Sequence, residues 1–149
     1  MHTVAPSRLL KSALLFDAAG SGAIAALHLA LPDTLHDALG LPPTLLTATG
    51  LFLAGYVLVL VVLARSSAVW SALVWLVVAG NVGWAAASVV LMVTEAVPAT
   101  PLGATYIAAQ AAAVMLFAGL EWRGLLRSMP ARGVVARETG VATGRAREW

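Results

Sequence analysis

The chain has 149 residues, of which 60% are apolar and 11% charged, with a net charge of +2 and no cysteine. Charges this sparse do not cover a soluble globule, and the lack of cysteine excludes disulfides, thiolate metal sites and thiol catalysis. The apolar residues fall in four blocks, each about as long as a bilayer-spanning helix needs to be. The expected fold is therefore an all-α membrane protein, a four-transmembrane-helix bundle over residues 1–128 with a basic tail over 129–149.

A short basic leader carrying Arg8 and Lys11 precedes span 1, expected over residues 13–31 with Ser7 or Ser12 as its cap. The block is too long for a cleaved signal peptide, contains Asp17, and has no small-x-small site before Pro32. Pro32 then starts, and Gly40 stops, a short helix with Leu31, Leu35, Ala38 and Leu39 on one face and Asp33, His36 and Asp37 on the other. That pattern predicts an interfacial helix on the periplasmic side. Span 2 is expected over 44–64, after Pro42 and Pro43. The tight Arg65-Ser66-Ser67 connection makes spans 2 and 3 antiparallel neighbours, with Ser67 capping span 3 over 68–94. Such a span exceeds what a bilayer requires and would tilt or protrude. Thr100 and Pro101 supply a cap and a first-turn proline for span 4, over 102–120, whose helix continues towards Ser128 before Pro130. The tail, rich in Gly and Arg, reads as disordered.

All nine Lys and Arg residues fall on one side of this topology: Arg8 and Lys11, Arg65, and Arg123 to Arg147. The other loops hold Asp33, Asp37 and Glu95 instead. The positive-inside rule puts both termini in the cytoplasm. Trp70 and Trp122 suit the cytoplasmic aromatic belt. Arg123, Arg127 and Arg132 suit contact with anionic lipid headgroups. No folded basic surface or aromatic platform supports nucleic-acid binding.

The intramembrane polar residues are Asp17, Ser21, His28, Tyr56, Asn81, Ser88, Gln110 and Glu121. Asp17, Ser21, Ile24 and His28 share a face of span 1, where Ala18, Gly22 and Ala26 let another helix approach closely. Asp17 is either a proton-coupling or cation-binding carboxylate, or a structural group, held in an ion pair with Arg8, Lys11, Arg65 or Arg123 or in a helix–helix hydrogen bond near the interface. Tyr56, Asn81 and Gln110 fall near the midplane and would act as interhelical hydrogen-bond glue. Trp84 and Ser88 follow on the face of Asn81, while Tyr106, Gln110, Phe117 and Glu121 share a face of span 4. His28 lies near His36, Asp33 and Asp37, but the spacing matches no metal motif and no second histidine exists for a haem clamp. A weak repeat aligns Asp17 with Asn81 and Gly50 with Gly103.

Several patches carry a family resemblance: DAAGSG at Asp17–Gly22, LGLP at Leu39–Pro42, NVGWAAAS at Asn81–Ser88, PLGATYIAAQ at Pro101–Gln110 and FAGLE at Phe117–Glu121. Together they resemble an uncharacterised family of small four-helix bacterial inner-membrane proteins, loosely DoxX-like. The resemblance implies a compact helical bundle and attaches no substrate or mechanism to it.

There is no nucleophile–base pair, no phosphate loop and no two carboxylates at a shared depth, so no enzymatic activity and no cofactor or metal is expected. The small-residue faces favour a non-enzymatic accessory subunit that packs with itself or in a larger membrane complex. The alternative is a small proton-coupled transporter or channel using Asp17, its pathway formed between the protomers of a dimer because four spans enclose little volume.

Overall fold

The computed structural model describes residues 2–130, so Arg132 and the rest of the basic tail lie outside the described residues. Five helices follow one another: α1 (Arg8–Ala30), α2 (Pro32–Leu39), α3 (Pro43–Arg65), α4 (Ser71–Val93) and α5 (Pro101–Leu126). All but α2 are long and apolar enough to cross a membrane. At about 1.5 Å per residue, each exceeds the roughly 30 Å of a hydrocarbon core. Their outward faces carry large apolar side chains, among them Phe16, Leu58, Leu76 and Leu116. The buried positions inside the bundle include Asp17, Ser21, His28, Asn81, Ser88 and Glu121, and Gly50, Gly103 and Gly124 stand where helices approach closely, as expected where lipid is the solvent.

Three short strands that the sequence did not announce bind one end of the bundle. β1 (Thr3–Ala5) pairs antiparallel with β2 (Val69–Trp70) on one edge and β3 (Met129–Pro130) on the other. The N-terminal segment, the α3–α4 connection and the residues after α5 are thereby held together. This pairing also moves the start of α4. Ser67 does not cap it; Val69 and Trp70 are taken into the sheet, and Ser71 donates its N–H and its hydroxyl to the His2 carbonyl instead. The helix has 23 residues, so the excess length expected for span 3 is absent.

Span 1 starts earlier than expected because Ser7, not Ser12, is the cap. Its hydroxyl accepts from Leu10 N–H at 3.2 Å and donates to the Gly124 carbonyl at 2.7 Å, joining the start of α1 to the end of α5. At the opposite end Thr100 accepts from Gly103 N–H and donates to the Ala38 carbonyl, so α5 begins against the end of α2. Gly40 ends α2 at φ 71°, the left-handed conformation that suits glycine at a helix stop.

Helix α1 packs on α3 and α5, and α5 packs on α4. Helices α3 and α4 are antiparallel neighbours, as their short connection predicts, but their backbones stand apart and they meet through side chains, Tyr56 on Asn81, Phe52 on Trp84 and Leu60 in one cluster with Val77. The connection is consumed by β2 instead of closing a tight helical hairpin. An apolar cluster built on Leu10, Leu14, Leu60, Leu63, Val74 and Leu125 seals the strand-bearing end. A second, of Leu39, Leu41, Leu46 and Ile107, seals the other.

Helix α1 approaches α5 so closely that a Cβ on Gly124 would stand 2.6 Å from the Leu10 Cα. Gly124→Ala is expected to lower the thermal midpoint of the detergent-solubilised protein, overpacking of this kind costing about 1–3 kcal/mol. Gly55→Ala, whose added Cβ meets nothing within 4 Å, should leave the midpoint unchanged or raise it. Indistinguishable midpoints would contradict the close α1–α5 contact.

Candidate functional site

Asp17, one turn before Ser21 on α1, is fully buried and so is Glu121 on α5. The Asp17 Oδ1 accepts from the Ser21 hydroxyl at 2.8 Å. Its Oδ2 accepts from the Asn81 amide at 2.9 Å and from the Tyr56 hydroxyl at 3.0 Å. Asn81 spends its other amide hydrogen on Glu121 Oε2 at 3.2 Å, and its carbonyl oxygen lies 3.2 Å from the Tyr56 hydroxyl. Glu121 Oε1 is buried and finds no hydrogen-bond partner. Four helices thus deliver one group or more each to a single cluster. Among the described residues no lysine or arginine pairs with either carboxylate, so the ion pair expected of Arg8, Lys11, Arg65 or Arg123 does not form.

The expectation that no two carboxylates share a depth is overturned by this geometry. Glu121, one of the expected intramembrane polar residues, lies one position past the expected end of span 4, and the sequence does not pair it with Asp17; α5 continues to Leu126 and turns Glu121 inward. Because both carboxylates bond one nitrogen, their facing oxygens are no more than about 6 Å apart. Two unit negative charges at that distance repel by about 3 kcal/mol at an effective dielectric of 20, before any cost of burial. At least one proton therefore resides on the pair. Three donors serve Asp17 and one serves Glu121, so the hydrogen bonds of the pair are gathered on Asp17.

A second cluster lies towards the α2 end. Thr49 spends its hydroxyl hydrogen on the Leu45 and Leu46 carbonyls, so it accepts from His28 Nδ1–H at 2.8 Å. His28 Nε2 then accepts from the Tyr106 hydroxyl at 2.7 Å. Both ring nitrogens of a neutral imidazole are satisfied, and His28 faces inward, away from the external acidic residues it neighbours in sequence. His36 donates to the Leu41 carbonyl instead of joining it. Among the described residues no group of three or more His, Cys, Asp or Glu side chains could hold a metal. Thr49 had no signal of its own in the sequence; its neighbour Gly50, where a Cβ would stand 3.0 Å from that of His28, is the nearest one.

Between the clusters lies a cavity of about 480 Å³, walled by Ser21, Phe52, Tyr56, Asn81, Trp84 and Gln110 among others. A smaller one of about 230 Å³ continues towards His28, Thr49 and Ser88, sharing Trp84, Tyr106 and Gln110 with the first. Ser88 donates to its own helix at the Trp84 carbonyl. Gln110 is not joined to Asn81 or Tyr56 as the expected midplane glue; it stands at the boundary of the two cavities. Of the residues expected at headgroup level, Arg123 and Arg127 are exposed near the end of α5. Comparison with family models, curated proteins and solved structures finds no match.

Asn81→Leu removes both amide donors from a buried pair of carboxyls and should cost about 1–3 kcal/mol. Tyr106→Phe strips one His28 nitrogen of its partner and should cost about 0.6–1.7 kcal/mol, the range of interhelical hydrogen bonds in membranes. Thermal melts in detergent followed by circular dichroism rank the two, and a larger loss for Tyr106→Phe would reverse the order of importance given to the clusters.

Proposed function

We propose that this chain is a small proton-coupled transporter or channel of a bacterial inner membrane, with the Asp17–Glu121 pair as its proton-handling group. The observation that carries this reading is the fully buried pair of carboxyls bridged by Asn81, with no cation beside it among the described residues and a cavity along its wall. A purely structural role would be served more cheaply by an ion pair or by apolar packing. Intramembrane carboxyls without such a partner are characteristic of proton and ion pathways.

In this reading Arg8, Lys11, Arg65, Arg123 and Arg127 face the cytoplasm under the positive-inside rule, and both termini lie there. Helix α2 rests at the periplasmic interface with Leu35 and Leu39 inward. Arg123 and Arg127 then meet anionic lipid. The cavity lies inside a single chain, so a dimer is not needed to build it. The accessory-subunit reading rested on small-residue faces, and several of those residues are used within the chain. Gly22 lies against Val57, Gly50 against His28 and Leu29, and Gly124 against Leu10. Gly55 and Gly83 stay exposed with open space above them, room for association with a second copy or a larger complex.

The test is proton flux into proteoliposomes enclosing a pH-sensitive dye, driven by an imposed membrane potential. The wild-type chain should acidify the lumen faster than empty vesicles, and Asp17→Asn should abolish the difference. Flux that is identical in wild type and Asp17→Asn would remove this reading.

A further inference from the structure

Both ends of the bundle are closed by apolar clusters, yet the larger cavity is bounded on one side by α3 and α4, whose backbones stand apart. Across that seam the Phe52 ring stacks on Trp84 at 5.9 Å, and within α3 it stacks on Tyr56 at 6.4 Å. Phe52 walls the cavity and is at the same time 61% exposed on the outer surface. Gly80 stands across from it, with nothing within 4 Å of an added Cβ. The cavity's approach is therefore sideways, from the surrounding lipid, past two aromatic rings and a glycine.

The inner wall is aromatic and apolar, with Phe52, Tyr56, Trp84 and Phe117 presenting rings. Its polar patch is Ser21, Tyr56 and Asn81, and each of these donates to Asp17 immediately behind it. No positive side chain among the described residues offsets the charge of the pair. The titratable groups around the cavity are Asp17 and Glu121 at one end, Tyr56 on the wall, and Tyr106 with His28 at the other. A positively charged occupant gains from the ring faces and from the negative charge one layer back. An anion of the same shape loses on both counts.

Resting on the proton-coupled reading above, we infer that the cavity walled by Phe52, Trp84, Asn81 and Gln110 binds a lipophilic organic cation that reaches it from the lipid through the α3–α4 seam. Cation and proton compete for the same negative charge, so protonating the pair weakens the cation's hold and losing the proton restores it. That exchange is what would couple the movement of one to the other.

Tetraphenylphosphonium and tetraphenylborate, ions of nearly one shape and opposite charge, supply the test by titration calorimetry on the full chain in detergent. The phosphonium should bind at pH 8 and the borate should not, with phosphonium affinity falling on acidification. Asp17→Asn should weaken phosphonium binding by about tenfold or more, the scale of one charge interaction across a low-dielectric wall. Gly80→Phe places a ring in the open space of the seam and should abolish binding; Gly80→Val is the smaller substitute if the first does not fold, and an unchanged thermal midpoint certifies either. Equal binding of the two ions, indifference to Asp17→Asn, or full binding by a folded Gly80 variant would each overturn the inference. Absent cation binding with Asp17-dependent proton flux intact would sink the cavity assignment alone. Cation binding without proton flux would sink the transport reading and leave the cavity site standing.

Discussion

Asn81 holds two buried carboxyls with one amide group, and the rest of the interior is arranged around that constraint. An amide has two hydrogens on one nitrogen, so a single residue on α4 can serve α1 and α5 together. Without Asn81, Glu121 would lose its hydrogen-bond donor and Asp17 would keep the Ser21 and Tyr56 hydroxyls. With it, Asp17 is served by three donors and Glu121 is left with an oxygen that finds no hydrogen-bond partner. Low dielectric makes this arrangement unforgiving, since every unmade bond there costs more than it would in water.

The apolar plugs at both ends keep water from relaxing that constraint, and the strand clip keeps the plug at its own end in place. β1 pairs with β2 and β3, and the Ser7 cap bonds to Gly124, so the starts and stops of α1, α4 and α5 are fixed relative to one another. This clip also takes up the α3–α4 connection that would otherwise draw those two helices together. The cavity and the seam follow from it. Space that a tighter hairpin would have filled is left open beside the carboxyl pair, bridged by Phe52 and Trp84.

Much of the candidate site was legible residue by residue and not as a site. Asp17 and Ser21 were readable as neighbours because they are four apart on one helix, and their hydrogen bond is local. Tyr56 and Asn81 were readable as groups that must find a partner, but not as partners of Asp17. Glu121 was readable as an intramembrane polar group but not as the partner of Asp17: hydropathy falls where Trp122 and Arg123 begin, while the helix itself runs on to Leu126 and turns Glu121 inward. His28 was drawn in sequence towards the acidic residues of α2, and packing turned it to Thr49 and Tyr106 instead. Gln110 looked like Asn81 by composition and depth, yet the bundle leaves it at a cavity boundary.

The sequence by itself determined the solvent of this chain, the four long helices, the Thr100 cap of the last of them, and the gathering of the cations towards one end. Those properties depend on composition, on periodicity and on residues within a few positions of each other. Tertiary structure alone decided that Asp17 meets Asn81 and not an arginine, that Glu121 joins it, and that α3 stands apart from α4. These contacts join residues 40 to 104 positions apart and depend on how each helix is rotated. Rotation was left undetermined because Ala-rich, lipid-facing helices are apolar on every side, so hydrophobic periodicity has no face to choose.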